Sequence, residues 1–335
     1  MRPTPFIIAE MSGNHNQSLE RAMAIVDAAA AAGAHAIKLQ TYTADTMTLP
    51  GVHHITDEDS LWKGKELHNL YKEAYTPWEW HKPLFDHAKQ RGILAFSSPF
   101  DATAVDFLET LDVPMYKIAS FENTDWPLLK KVAQTGKPVI MSTGASTMSD
   151  IDDAVRVLRA SGCTDLTILK CTSTYPASPE NTNLATIPVM KEIFGCEVGL
   201  SDHTMGIGVS VAAIAYGATV IEKHLTLSRA EGGVDSAFSM EPHELAALVT
   251  ETDRAYKAMG NVFFGILPAE QKSVAFKRSI YVRKDIKAGK PLTEENLQVI
   301  RPAKGLLPRY YEDVLGRTAS TDLKAGTPLS WSHVS

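Results

Sequence analysis

The chain has 335 residues, 33 basic and 39 acidic, for a net charge of −6 and a pI near 6.0, which excludes a general nucleic-acid binder. No apolar run is long enough to span a membrane, because the alanine-rich stretch from Ala28 is broken by Gly33 and His35. Three cysteines, Cys163, Cys171 and Cys196, are too few and too unevenly spaced for a disulfide framework or a zinc cluster. Pro5 leads straight into Phe6-Ile7-Ile8-Ala9 and then Glu10, so a signal-peptide core is not expected, and a soluble cytoplasmic enzyme is the leading class.

Along the first 270 residues, short β-branched runs alternate with amphipathic stretches. The predicted strands are Phe6–Met11, Ala36–Thr41, Leu94–Ser98, Met115–Ser120, Pro138–Thr143, Leu166–Thr172, Glu197–His203 and Val220–Thr226. Helix-like segments closed by glycine, among them Ala28–Gly33, His81–Gly92 and Ile151–Gly162, precede several of them. Near-continuous apolar strands alternating with helices imply a parallel sheet covered on both faces. Eight such units predict an α/β fold of the (β/α)₈ TIM-barrel class over residues 1–270. A doubly wound sheet is the rival, but no Gly-x-Gly-x-x-Gly follows the first strand.

Residues 271–335 differ in character. Phe276–Ser335 carries 11 basic and 6 acidic side chains, leaving 22 and 33 for the rest of the chain, so a basic tail follows an acidic body. The tail repeats itself: Asp285-Ile286-Lys287-Ala288-Gly289-Lys290-Pro291-Leu292-Thr293 returns as Asp322-Leu323-Lys324-Ala325-Gly326-Thr327-Pro328-Leu329-Ser330. Each copy predicts a turn at Ala-Gly, and Ser279–Val282 reads as a strand. A small, compact, β-rich domain is expected.

The predicted barrel strands end in polar residues: Glu10 and Asn14; Lys38 and Gln40; Ser97 and Ser98; Lys117, Ser120 and Glu122; Ser142 and Thr143; Lys170 and Thr172; Ser201, Asp202 and His203; Glu222 and His224. In a barrel these ends share the face where active sites are built. His203 and His224 end adjacent strands and are the metal candidates; two imidazoles with a carboxylate suit Mn, Fe, Zn or Co better than Mg or Ca. Lys38 and Lys117 lie inside apolar strands and need anionic partners, either Glu10 or Glu122 or an anionic ligand. With Ser98, Ser120, Ser142, Ser173 and Ser201 they describe a site for a small, multiply charged anion. Glu10 and Glu122 are candidate general acid and base groups. Lys170 allows a Schiff-base reading. Trp78 and Trp80, beside Pro77, read as a helix start packed on the barrel.

These strand-end motifs resemble the N-acetylneuraminate (sialic acid) synthase family of phosphoenolpyruvate-condensing enzymes. The resemblance rests on Ile8-Ala9-Glu10, Asn14-His15-Asn16-Gln17, Lys38-Leu39-Gln40-Thr41, Ser97-Ser98-Pro99-Phe100, Tyr116-Lys117-Ile118-Ala119-Ser120, Met141-Ser142-Thr143-Gly144, Lys170-Cys171-Thr172-Ser173, Gly199-Leu200-Ser201-Asp202-His203-Thr204 and Ile221-Glu222-Lys223-His224. It covers essentially the whole chain, with the tail similar to the SAF, or antifreeze-like, domain. Asn14-His15-Asn16-Gln17 and Leu70–Trp80 look nearer to the pseudaminic branch than to the sialic one, and the Gln17 departure bears on the sugar used.

The resemblance implies condensation of phosphoenolpyruvate with 2,4-diacetamido-2,4,6-trideoxy-L-altrose. It implies phosphoenolpyruvate on Lys38, Ser98, Lys117, Ser120, Ser142, Ser173 and Ser201. It implies the sugar near Glu10, Asn14, Gln40, Glu122, Tyr175 and Asp235. A divalent metal, usually Mn with Mg or Co as alternatives, would sit on His203 and His224. It further implies a domain-swapped homodimer in which the tail caps the partner's barrel and Arg301 reaches the sugar. The rivals are a sialic or legionaminic acid synthase, a covalent aldolase using Lys170, and an inactive carbohydrate-binding barrel.

Overall fold

The computed structural model describes residues 5–58 and 60–335. Contacts divide the chain into two compact units, Met1–Gly260 and Asn261–Ser335. In the first, eight parallel strands close a barrel: β1 (Phe6–Glu10), β2 (Ala36–Thr41), β3 (Leu94–Pro99), β4 (Tyr116–Ile118), β5 (Val139–Ser142), β6 (Leu166–Cys171), β7 (Glu197–Ser201) and β8 (Val220–His224). β1 pairs with both β2 and β8, which completes the ring. All eight lie within or beside the predicted strands, and most end earlier at the carboxyl side. β4, for example, stops at Ile118 because Ser120–Glu122 winds into a 3₁₀ turn.

The helices outside the barrel follow from sequence spacing. Leu19–Ala31 buries Ala22, Ile25, Val26 and Ala29, an i, i+3, i+4, i+7 stripe, and Ser18 caps it by accepting from the Arg21 amide. Trp78–Gln90 begins after Pro77, with Trp78 stacked on Phe107 at 4.7 Å and Trp80 edge-on to His15 at 5.6 Å. Both tryptophans pack as the sequence suggested. No helix among the described residues is long and apolar enough to cross a membrane.

Strand side chains alternate with period two, and this alternation builds the site. One set (Ile7, Ala9, Ile37, Leu39, Ile118, Met141, Ile168, Val198, Ile221) joins the helices in the main core. The other set points into the barrel, where Phe6, Ile8, Ala36, Phe96, Met115, Ile140, Leu169 and Val220 form a separate apolar plug. Two residues further along each strand, the same inward parity yields Glu10, Lys38, Ser98, Lys117, Ser142, Cys171 and Glu222. An apolar floor thus carries a polar layer.

The second unit has its own core, including Ile280, Val282, Ile286, Leu292, Leu297 and Leu329. β9 (Ser279–Val282) pairs antiparallel with β10 (Leu297–Ile300). The internal repeat is reciprocal: Ile286 and Leu323 exchange both backbone hydrogen bonds at 2.8 Å. Asp322 accepts from the Ala288 amide and pairs with Lys287, while Asp285 does the same for Ala325 and Lys324. The Ala-Gly turns form as predicted, with Gly289 and Gly326 at φ +76 and +89.

Gly199 on β7 sits at an inward position. A Cβ there would fall inside van der Waals contact of the Val220 carbonyl oxygen and 2.7 Å from Leu169 Cδ2. Gly199→Ala is therefore expected to lower stability by about 1–3 kcal/mol through overpacking, read as a drop in Tm; an unchanged Tm would contradict this packing.

Candidate active site

The carboxyl ends of the strands surround a cavity of about 360 Å³. Its floor is the polar layer just described. Lys38 Nζ lies 2.6 Å from Glu10 Oε2 and 3.7 Å from Glu222 Oε1, and Lys117 Nζ lies 3.4 Å from the same Glu222 oxygen. Ser201 donates to Glu222 at 3.2 Å, and Lys38 donates to Ser98 at 3.2 Å. All four charges are buried.

Electrostatics sort these groups. Burial raises the pKa of Glu222, but Lys117 and Lys38 outweigh it and hold the carboxyl below its ordinary range. Burial works against the charge of Lys38, yet Glu10 and Glu222 keep its pKa high. Burial and the neighbouring Lys38 charge lower Lys117. Burial, helped by Glu222 and opposed by Lys38, raises Glu10. The quartet pairs two lysines with two glutamates.

The expected partner for Lys117 was Glu10, Glu122 or an anionic ligand. The structure instead assigns Glu222, because Glu222 occupies an inward β8 position while Glu122 sits on the 3₁₀ turn after β4. Glu122 lines the cavity with Oε2 buried and unpartnered among the described residues. Burial raises its pKa to about 7, against the pull of Lys117. It is a carboxyl poised to exchange a proton near neutrality.

The other candidates separate clearly. Lys38, Gln40, Lys117, Ser120, Ser142, Tyr175, Ser201, His203, His224 and Asp235 line the cavity together with Glu122. Ser142 Oγ is buried without a hydrogen-bond partner among the described residues, a donor available to a ligand. Glu10 and Ser98 are not lining residues; they stand behind Lys38 and orient it. Asn14 is buried and donates to the Leu225 carbonyl and Ser239, holding the loop after β8. Ser173 lines a second cavity, outside the barrel wall, together with Lys170. Its hydroxyl and that of Ser120 crowd Gly144, where a side chain would collide with both. Arg301 is an exposed residue of the second unit, immediately after β10.

Lys170 has the parity opposite to Leu169 and Cys171, so its ammonium faces outward and donates to the Cys171 carbonyl at 3.0 Å. It does not line the cavity that holds the other candidates, and the Schiff-base reading loses its geometry. Lys223, also of outward parity, is locked by Asp202 at 3.1 Å and by two carbonyls.

His203 and His224 meet with ring centroids 5.3 Å apart. His203 Nδ1 lies 3.0 Å from the Thr172 carbonyl and donates to it, which leaves Nε2 as the nitrogen that would face a metal. His224 Nδ1 is buried without a partner among the described residues. Burial, with His203 and the lysines nearby, drives the His224 pKa well below its ordinary value. Burial works against a charge on His203, but Cys171, the Thr172 carbonyl and Glu222 outweigh it and raise its pKa. With its proton released, His203 beside His224 makes an imidazole pair that fits a divalent transition metal. No group of three or more His, Cys, Asp or Glu side chains joins them in a metal-holding cluster among the described residues, so further positions would fall to ligand or water.

Sequence reasoning placed Glu222 among the strand-end residues without giving it a role, and gave Cys171 none either, although both share the inward parity of His224 and Leu169, which was the available signal. It also missed the apolar upper wall, which includes Tyr42, Trp62, Leu70, Tyr71 and Phe238. That wall comes from a short helix, Leu67–Ala74, and from loop segments, none with strand periodicity.

Removing Glu222 would leave Lys38 sharing one carboxylate and Lys117 with no ion-pair partner among the described residues. Glu222→Ala is expected to cost about 3–5 kcal/mol, seen as a lowered midpoint in denaturant unfolding; a loss below about 1 kcal/mol would show that the quartet is not the electrostatic keystone.

Residues 25–263 match the NeuB family and residues 277–335 match the SAF domain. The chain is 43% identical to the pseudaminic acid synthase of Campylobacter jejuni subsp. jejuni, over 97% of this chain and 95% of that one. It is 42% identical to the pseudaminic acid synthase of Helicobacter pylori, over 98% of each. Among solved structures, the N-acetylneuraminic acid (sialic acid) synthetase from Leptospira borgpetersenii serovar Hardjo-bovis, in complex with citrate, superposes with a TM-score of 0.73. It is 34% identical, covering 81% of this chain and 90% of that one. The eight-stranded barrel, its strand-end chemistry and the repeated tail are those of a NeuB family enzyme with a SAF domain, and the chain belongs to that family.

Proposed function

We propose that the chain condenses phosphoenolpyruvate with 2,4-diacetamido-2,4,6-trideoxy-L-altrose, giving pseudaminic acid and phosphate. The observation that carries this reading is one cavity holding a lysine and serine floor, a carboxyl poised to about 7 and an apolar upper wall. Its kinship with pseudaminic acid synthases over nearly the full chain supports the choice of sugar.

Lys38, Lys117, Ser120, Ser142 and Ser201 hold phosphoenolpyruvate and fix its orientation. Ser98 and Glu10 act by setting Lys38, and Ser173 acts across Gly144. Gln40, Tyr175 and Asp235 face the sugar, and Asn14 holds the loop that carries Asp235. C3 of phosphoenolpyruvate bonds to the aldehyde carbon, and the aldehyde oxygen takes the proton of Glu122. Water then adds to C2 and returns a proton to Glu122. The C2–O bond breaks, phosphate departs with the remaining proton, and a 2-keto acid is left.

A divalent metal, Mn before Mg or Co, would be held by His203 and His224 and would supply Lewis-acid polarisation of the sugar aldehyde. Charge balance supports it. Both lysines are already matched by glutamates, so a multiply charged anion entering the floor requires additional positive charge.

The same reading includes a homodimer in which the SAF domain caps the partner's barrel and brings Arg301 to its sugar. The second unit opens with the exposed apolar residues Val262, Phe263 and Phe264, at 92%, 58% and 97%, a composition suited to a covered surface. Three free cysteines fit a reducing, cytoplasmic setting.

The test is phosphate release from phosphoenolpyruvate with Mn, comparing the trideoxy-diacetamido-altrose with N-acetylmannosamine, each with and without EDTA. Chelator-sensitive release with the altrose alone is expected. Release only with N-acetylmannosamine would move the enzyme to sialic acid synthesis, and release indifferent to EDTA would overturn the metal.

Because Glu122 must begin protonated, kcat/KM is expected to fall as pH rises through about 7. Glu122→Gln should lose about 10²–10⁴-fold in rate and lack that alkaline limb. A variant that keeps both the rate and the limb would refute the assignment.

A further inference from the structure

The apolar upper wall of the cavity comes largely from the excursion between β2 and the helix Trp78–Gln90. Its central piece is the short helix Leu67–Ala74, which turns Leu67, Leu70, Tyr71 and Ala74 towards the cavity. Trp62 in the same excursion is latched by its indole nitrogen to the Val234 carbonyl at 2.9 Å, on the loop after β8. Apart from the Tyr71 hydroxyl, this helix offers the cavity no polar side-chain atom.

The helix is held from one side by the 3₁₀ turn that follows β1. Gly13 packs on Ala74 so closely that an added Cβ would lie 3.2 Å from the Ala74 Cβ. His15 Nε2 meets the Thr76 hydroxyl at 3.3 Å. Gln17 reaches furthest: its Nε2 donates to the Glu73 carbonyl at 3.1 Å and the Tyr75 carbonyl at 2.7 Å. These carbonyls belong to the last helical turn and its cap, where a helix leaves acceptors without internal partners. One amide therefore closes the carboxyl end of the helix that forms the wall.

The backbone of Gln17 makes this informative. It sits at φ +55, in the left-handed region that favours glycine. A glutamine there carries a conformational cost that glycine would not, so its side chain must return something. The bonds to Glu73 and Tyr75 are the return.

We propose that Gln17 is a positioning residue that clamps the helix Leu67–Ala74 against the cavity and thereby sets the preference for a sugar with a deoxygenated end. An apolar wall gains by covering a C6 methyl and acetyl methyl groups. It penalises a hydroxylated end, whose bonds to water it cannot replace. The inference rests on the proposed phosphoenolpyruvate-condensing function and names the part of the site that selects the sugar.

The experiment uses the full chain as wild type, Gln17→Gly and Leu70→Gln. Sugar discrimination is kcat/KM for the trideoxy-diacetamido-altrose divided by that for N-acetylmannosamine. Gln17→Gly relieves the backbone while removing the clamp, so its Tm should not fall. Its discrimination should drop by about tenfold or more, through a raised KM for the altrose with the KM for phosphoenolpyruvate unchanged. Hydrogen exchange of amides 67–75 should speed up by a similar factor. Leu70→Gln should lower discrimination in the same direction. A Gln17→Gly enzyme with wild-type discrimination and wild-type exchange overturns the proposal. Faster exchange with unchanged discrimination also overturns it, leaving a structural tie only. A wild type inert on both sugars refutes the proposed function and, with it, the selectivity; a clamp without selectivity would then remain only if exchange over 67–75 still rises.

Discussion

Four buried charges at the top of the barrel constrain the rest of the site. Lys38 and Lys117 lie inside a ring of strands whose inward positions one step below are Phe96, Ile140, Leu169 and their neighbours. Ammonium groups in such a place require carboxylates, and Glu10 and Glu222 come from the two adjacent strands β1 and β8. The pairing fixes the lysines in the cavity before any ligand arrives, so binding needs little further ordering. It also offsets their charge. A neutral floor can orient an anion, but it cannot by itself attract one strongly.

The cavity divides its labour by chain origin. The floor is written on strands, held by ladder hydrogen bonds and by the plug beneath. The upper wall comes from the excursion after β2 and from the loop after β8, joined through Trp62 and Val234. Glu122 stands between them on a 3₁₀ turn, buried enough to keep its proton near neutrality and close enough to Lys117 to release it. The outward residues of the same strands have other work: Lys223 and Asp202 tie down the β7 loop, and Lys170 faces away from the chemistry.

Much of this was legible in the sequence because strand periodicity is strict. Eight apolar runs with polar carboxyl ends gave the barrel and placed Lys38, Lys117, Ser120, Ser142, Ser201 and both histidines at one cavity, and the repeat at Asp285 and Asp322 gave the turns of the tail. The same periodicity, carried one residue further, separates Lys170 from Cys171 and brings Glu222 into the site. What escaped was built from irregular chain. Asn14 reads as a ligand beside a strand end, and its amide nitrogen is taken by Leu225 and Ser239 while its Oδ1 is buried without a hydrogen-bond partner among the described residues. Nothing local in Trp62, Leu70 or Phe238 announces that they share a wall, because they meet only through long-range folding.

The dependence on parity also shapes how such an enzyme can change. Inserting one residue into any barrel strand would turn its floor residues towards the helices and bring aliphatic side chains into the cavity. Strand lengths are therefore effectively frozen by the chemistry they carry. The excursion after β2 has no such frame to keep. It can be lengthened, shortened or rewritten while the lysines and glutamates stay in register. New acceptors for the same carbon–carbon bond-forming step can arise there without rebuilding the catalytic floor.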